Sequence, residues 1–280
     1  MAQRTWFITG VNSGFGRCMT EQLLARGDRV AGTVRRLETM HDLKAGYGER
    51  LWLAKLDMTD TLAIRRVVGE AFAELGRIDV VVNNAGYGLI GAAEEATDEQ
   101  IVHQLDTNLM GSIQVVRAAL PHLRDQGGGR IIQVSTVGGQ TAFPGGSLYH
   151  AGKWGIEGFI EATALDVAPF NIGLTIVEPG GARTAFRYGS SRLTPKLDAY
   201  DISPASQSRR IIEERKTIPI GDPARMATIM IDSADQHPAP KRIVLGGDAY
   251  GAIHKALTER LTLLEAQKDL AFSTDVPAGS

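Results

Sequence analysis

Seven short apolar runs recur along the chain at residues 5–9 (TWFIT), 28–34 (DRVAGTV), 51–56 (LWLAKL), 78–82 (IDVVV), 130–134 (RIIQV), 172–177 (IGLTIV) and 242–245 (RIVL). Turn residues and a stretch of helical periodicity follow most of them. The run IDVVV is apolar at nearly every position rather than at alternate ones, as expected of a parallel strand covered on both faces. Strands alternating with helices, joined by right-handed crossovers, make an α/β fold: a doubly wound parallel sheet of the Rossmann-like kind. At 280 residues the chain can close this sheet around one large core, so a single domain is expected over residues 1–270. Periodicity fades over residues 183–220, which predicts a long loop of the lid kind. Residues 271–280 read as a loose tail.

Composition removes several classes of function. The net charge is −2 with no long basic run, which argues against a nucleic-acid partner. No run of eighteen apolar residues and no leader-like apolar segment occurs, so neither a membrane span nor export is expected. Cys18 is the one cysteine and cannot form an internal disulfide, which fits a reducing, cytoplasmic setting. The six histidines show no metal-ligand spacing; no metal is expected, and His103 and His122 read as helix-surface residues.

Chemistry concentrates where strands run into helices. The first strand leads into Gly10-Val11-Asn12-Ser13-Gly14-Phe15-Gly16, spaced G-x3-G-x-G. Glycines at such a turn let backbone approach a ligand, and the helix behind offers free N–H groups to phosphate. The second strand ends in Arg35-Arg36 with no acid before Glu38. Two solvated arginines are one reading; a guanidinium for the 2′-phosphate of NADP is the other. The third strand ends at Asp57-Met58 and the fourth in Asn83-Asn84-Ala85-Gly86, while Asn108 lies inside a helix predicted over about 97–123.

The stretch 131–160 (IIQVSTVGGQTAFPGGSLYHAGKWGIEGFI) reads as strand, glycine-rich loop and long helix. Tyr149 and Lys153, four apart, share one face of that helix. A phenol beside an ammonium is a candidate acid–base pair, the cation being expected to lower the phenol's pKa from about 10. That helix is apolar nearly all round, which predicts cover from a second subunit in a homodimer or homotetramer. A further strand ends in Glu178-Pro179-Gly180-Gly181, with Thr184 beyond.

Taken together and in order, these motifs resemble the short-chain dehydrogenase/reductase family over about residues 5–247. Thr9-Gly10-x3-Gly14-x-Gly16 is similar to its cofactor loop, Asn83-Asn84-Ala85-Gly86 to its NNAG, Tyr149-x3-Lys153 to its catalytic pair, and Pro179-Gly180 with Thr184 to its PGxxxT stretch. The resemblance implies an NADP(H)-dependent oxidoreductase acting on an alcohol or carbonyl. Gly10, Asn12, Ser13, Gly14, Phe15, Gly16, Arg35, Arg36, Asp57, Met58, Asn84, Ala85, Gly86, Pro179, Gly180 and Thr184 would then line the cofactor, with Tyr149 and Lys153. Tyr149 would exchange the proton, Lys153 would lower its pKa, and Asn108 would hold a relay water.

The family's catalytic hydroxyl selects Thr136 by its spacing to the tyrosine, while Ser135 also satisfies the family's S-x-x-G pattern. Strand neighbours point to opposite faces, so one of the two is expected to serve. His150 departs from the small residue usual after the tyrosine and is expected near the site entrance. Phe143, Pro144 and Tyr188 suggest an apolar pocket for a lipophilic carbonyl. A cofactor-binding sensor without chemistry is the alternative from another class, although such relatives usually lose the tyrosine or lysine.

Overall fold

Alternation in the strands divides the molecule into two apolar layers. In β1 (Thr5–Thr9), Trp6 and Ile8 belong to one buried cluster and Phe7 to the other. The computed structural model describes residues 3–215 and 218–276. The elements after β1 are α1 (Gly14–Ala25), β2 (Arg29–Val34), α2 (His41–Tyr47), β3 (Leu51–Lys55), α3 (Thr61–Leu75) and β4 (Val80–Asn83). Then come β5 (Leu89–Ile90), α4 (Asp98–Leu105), α5 (Gly111–Asp125), β6 (Gly129–Val134), α6 (Ser147–Val167) and β7 (Ile172–Pro179). The chain continues through β8 (Arg192–Leu193), α7 (Pro204–Glu214), α8 (Pro223–Asp232), β9 (Arg242–Leu245), α9 (Gly247–Glu265) and α10 (Lys268–Phe272).

Seven strands form one sheet in the order β3-β2-β1-β4-β6-β7-β9, every pairing parallel. The strand order reverses between β1 and β4, and in such sheets the crevice outside the carboxyl ends at this point takes the ligand. One apolar layer joins the sheet to α1, α2 and α8, the other to α3, α5 and α6. The expected doubly wound sheet is present with all seven strands.

Local chemistry sets the helix ends. Asp60 accepts the Ala63 N–H at 2.9 Å and starts α3, a cap worth about 1 kcal/mol. Thr97 and Gln100 form a reciprocal capping box at α4.

Three expectations need correction. The helix over 97–123 is interrupted: residues Asp106–Met110 form a π turn between α4 and α5, and Asn108 sits in it. Such turns insert one residue per turn and favour functional sites. The segment 183–220 is no bare loop, because it contains β8, paired in parallel with β5, and the helix α7. The stretch read as tail begins in α10, and residues 277–280 of it lie outside the described residues. Among the described residues no helix is long and apolar enough to cross a membrane, and no cluster of metal-ligating side chains occurs.

Candidate active site

A cavity of about 640 Å³ opens at the carboxyl ends of the strands, at the reversal point between β1 and β4. Its floor is the glycine turn. Gly10 and Gly14 adopt φ of 72° and 56°, a region that costs other residues energy. A Cβ on Gly16 would stand 2.3 Å from the Gly10 carbonyl oxygen and 2.5 Å from Asn84 Nδ2, so only glycine lets the turn close. Ser13 is extended and its side chain leaves the start of α1 uncapped, keeping N–H groups for an anion.

The second loop is locked to the first. Thr9 Oγ1 accepts the N–H groups of Asn84 and Ala85 at 2.9 and 3.0 Å. Asn84 Nδ2 donates to the carbonyls of Thr9 and Gly10 at 2.9 and 3.1 Å. Asn84 therefore braces two turns. Its neighbour Asn83 is buried and ties β4 to Gln133 and to the Ser112 carbonyl.

Asn12, Arg35, Asp57, Met58, Ala85 and Gly86 all border the cavity. The N–H and hydroxyl of Thr59 hold the Asp57 carboxyl below its ordinary pKa, so it stays an acceptor. Arg36 is not brought in. Its exposed side chain lies 3.8 Å from Glu38 and outside the cavity wall, because successive residues leaving β2 point to opposite sides.

Across the cavity, Pro179, Gly180 and Thr184 form the facing rim, and Thr184 Cβ would be 3.6 Å from a Cβ placed on Gly14. Asp248 at the start of α9 accepts the Gly181 N–H at 2.8 Å and occupies the space beside Gly180. This residue escapes sequence reasoning, since an acid in a helix's first turn is unremarkable.

Tyr149 and Lys153 lie side by side on α6, both buried, with Lys153 Nζ 5.9 Å from the phenol ring centroid. Nζ donates to the Val134 carbonyl at 2.9 Å. Burial pushes the Tyr149 phenol up to about 12, against a hydrogen bond from Thr136. Burial brings the Lys153 ammonium down to about 8, against the pull of the Glu157 carboxylate. The phenol's shift runs opposite to the expectation that the cation lowers it: desolvation dominates, and the contact that acts against it is Thr136.

The two hydroxyls separate as strand alternation requires. Thr136 faces Tyr149. Ser135 is buried and its hydroxyl donates to Glu157 Oε1. A Cβ on Gly139 would stand 1.7 Å from that oxygen, so glycine there makes room for the carboxylate. Glu157 and Glu178 are both buried and share Arg242 and Gln140 as donors. Sequence reasoning missed this group; its one signal is an acid four residues after Lys153 in an apolar helix.

Asn108 also differs in what it touches. Its Nδ2 donates to the Tyr87 carbonyl at 2.8 Å and its Oδ1 accepts the Tyr87 N–H at 3.1 Å. The amide pins the chain after β4, using one of its two N–H donors and one of its two oxygen lone pairs. His103 is no bare surface residue: it borders the cavity and its Nδ1 lies 2.7 Å from the Tyr87 hydroxyl. His122 does sit outside, its ring stacked on Phe72 at 4.4 Å.

The remaining wall comes from residues 87–90, from Phe143 and from parts of 184–212. Tyr87, Ile90, Phe143, Phe186, Ile211 and Ile212 give it an apolar surface, whereas Pro144 and Tyr188 are not part of it. A buried clasp holds this wall: Glu95 accepts the N–H groups of Ala92 and Leu197 at 2.7 and 3.1 Å and pairs with Arg209 at 3.3 Å. Arg209 also donates to the Thr194 and Pro195 carbonyls at 3.0 Å.

Comparison with known proteins agrees with this geometry. A model of the short chain dehydrogenase family matches residues 4–192. Oxidoreductase BOA17 of Botryotinia fuckeliana is 35% identical over 90% of this chain and 92% of its own. The 3-ketodihydrosphingosine reductase of Bacteroides thetaiotaomicron is 36% identical over 75% of this chain and 76% of its own. Among solved structures, a short-chain dehydrogenase from Streptomyces avermitilis superimposes with a TM-score of 0.91 at 36% identity, covering 99% of this chain and 100% of the other. The closed form of a serine dehydrogenase complexed with NADP+ gives a TM-score of 0.70 at 27% identity over 86% and 93%. With the family model spanning most of the chain and relatives matching nearly end to end, this protein belongs to the short-chain dehydrogenase family and is an oxidoreductase.

Proposed function

We propose that the protein interconverts a ketone or aldehyde and the corresponding alcohol by hydride transfer with NADP(H), on a substrate with an apolar body. The observation that carries this reading is a buried phenol beside the buried Lys153 on α6, lining the cavity together with Thr136. Bound NADP(H) would supply or accept the hydride. The glycine turn with the start of α1 suits its diphosphate, Asp57 its adenosine end, and Arg35, the one cavity arginine at the end of β2, its 2′-phosphate.

Tyr149 donates a proton to the substrate oxygen in reduction, and Thr136 orients that oxygen from the adjacent strand end. The same phenol must first lose its proton to act as base in oxidation. With a pKa of about 12 its ionised fraction grows about tenfold per pH unit below that value, so oxidation should quicken with rising pH while reduction does not. The apolar wall of Tyr87, Ile90, Phe143, Phe186, Ile211 and Ile212 supports a lipophilic substrate. So does the similarity to a 3-ketodihydrosphingosine reductase.

A panel of long-chain and cyclic ketones with NADPH or NADH, followed by loss of nicotinamide absorbance, tests the reading. Turnover of at least one apolar ketone with NADPH is expected. Tight NADPH binding with no turnover of any carbonyl or alcohol would leave a sensor in its place. We also infer a homodimer or homotetramer, since Trp154 and Leu165 on α6, Val102 on α4 and Met110 beside α5 are exposed apolar groups. Light scattering that shows only monomer at micromolar concentration would refute this.

A further inference from the structure

His150 follows the proton donor in sequence yet its ring turns away from the cavity. It is buried, and both of its nitrogens are engaged by the backbone of one loop. Phe143 N–H donates to Nε2 at 3.0 Å. Since Nε2 accepts, the proton of the neutral ring sits on Nδ1, which donates to the Gly138 carbonyl at 2.6 Å. The imidazole thus joins the two limbs of the loop between the 3-10 turn Val137–Gly139 and the start of α6. The Phe143 ring stands against it edge-on, centroids 4.2 Å apart and planes at 70°. A Cβ on Gly138 would come within 2.9 Å of the imidazole and one on Gly146 within 3.0 Å, so the loop is closed tightly around it.

Phe143 in turn borders the substrate part of the cavity. Its loop reaches the rest of that wall through Ser208, which donates to the Pro144 carbonyl at 2.7 Å, and through Gly91 N–H to the Gly145 carbonyl at 2.9 Å.

We propose that His150 is a positioning residue that sets substrate selection: its neutral ring holds Phe143 in the cavity wall, and protonation of the ring releases Phe143. This rests on the oxidoreductase reading for its kinetic consequence but not for the structural one. A protonated ring has a donor at Nε2, where the Phe143 N–H already points, so the two donors oppose each other and the contact is lost. Burial pushes the His150 pKa down, against the Gly138 carbonyl at Nδ1; the Phe143 N–H, which needs a bare Nε2, opposes protonation together with burial. Its folded value therefore lies below the ordinary 6.5, the neutral ring is kept at neutral pH, and stability from it is lost as pH falls below 6.5.

Residues 137–146 contain no ionisable side chain. Two buried carboxylates face that loop: Glu157 accepts from Gln140, and Glu178, whose pKa burial pushes up, accepts from Gln140 as well. His150→Leu retains both, so comparison with it isolates the imidazole's share. On α6 the nearest are Tyr149 and Lys153, at about 12 and about 8. On α7 Arg209 is turned to Glu95, and on α9 Asp248 is held by Gly181.

The experiment measures KM for a ketone that is turned over, at saturating NADPH, between about pH 5 and 7.5, in native protein, His150→Leu and Phe143→Ala. In native protein KM should rise about tenfold or more on acidification, with kcat and the NADPH KM changing much less. His150→Leu keeps the volume and removes both contacts, so its KM should be high and flat across the range; Phe143→Ala should be flat as well. Hydrogen exchange of the Phe143 amide, corrected for intrinsic rate, is read alongside and needs no turnover. Protection at neutral pH that disappears on acidification, and is absent throughout in His150→Leu, is expected. A native pH profile retained in His150→Leu, or protection that ignores pH, overturns the proposal. Absence of turnover with the exchange pattern intact would instead sink only the assigned activity.

Discussion

The two sides of the cavity are built by different means. The cofactor side is made of backbone: strand ends, a glycine turn with positive φ, and two loops hydrogen-bonded to each other through Thr9 and Asn84. The substrate side is made of side chains from segments far apart in sequence. Glu95 reaches Arg209, Ser208 reaches the carbonyl of Pro144, and β5 pairs with β8. Backbone at the end of a parallel sheet has one way to lie, because the sheet places it. A wall held by a few buried polar clasps can be re-cut by changing one of them. The difference teaches where specificity can vary without loss of the shared chemistry.

Six single substitutions and one double variant test that division. Tyr149→Phe stands where the sides meet and keeps the ring while removing the proton donor. Turnover should fall at least about 100-fold with NADPH affinity almost unchanged; near-normal turnover would remove the central assignment. Glu95→Ala strikes the substrate side alone. It leaves Arg209 buried without its acid, a change of about 3 kcal/mol that should appear as a lower Tm and a raised substrate KM. If NADPH binding weakened in parallel, the two sides would not be separable. The double variant Glu95→Ala/Arg209→Met should recover part of the lost stability.

On the cofactor side, Arg35→Ala should weaken NADPH by about 2 kcal/mol, roughly 30-fold, and leave NADH alone. Arg36→Ala should change neither by more than about twofold, since its guanidinium lies exposed beside Glu38. Equal preference for the two cofactors in native protein would refute the role of Arg35. In the hydroxyl pair the effect expected is smaller than that of Arg35→Ala. Thr136→Val should lower kcat about tenfold with little effect on binding. Ser135→Ala should lower stability through Glu157 and spare kcat; the opposite result would move the catalytic hydroxyl by one residue.

Each strand of the main sheet was legible because a covered parallel strand must be apolar throughout, as Val80, Val81 and Val82 are. The glycine turn, Asn84 and the pair Tyr149–Lys153 were legible for a similar reason: each is a constraint acting over a few residues. The interval between Thr136 and Tyr149 selected Thr136, and in the structure both Thr136 and Ser135 border the cavity, Thr136 donating to the Pro179 carbonyl at 3.4 Å and Ser135 to Glu157. Only the tertiary structure decided the rest. The phenol's pKa depends on how much water the fold removes from around Tyr149. Arg35 and Arg36 carry the same side chain, and only the path of the backbone leaving β2 tells which meets the cavity. The polar members of the site that escaped notice find their partners across long stretches of chain, Glu95 with Arg209 at a separation of 114 residues and Glu157 with Arg242 at 85. Periodicity reports which face of an element is buried, whereas a buried charge is defined by what the finished fold sets against it.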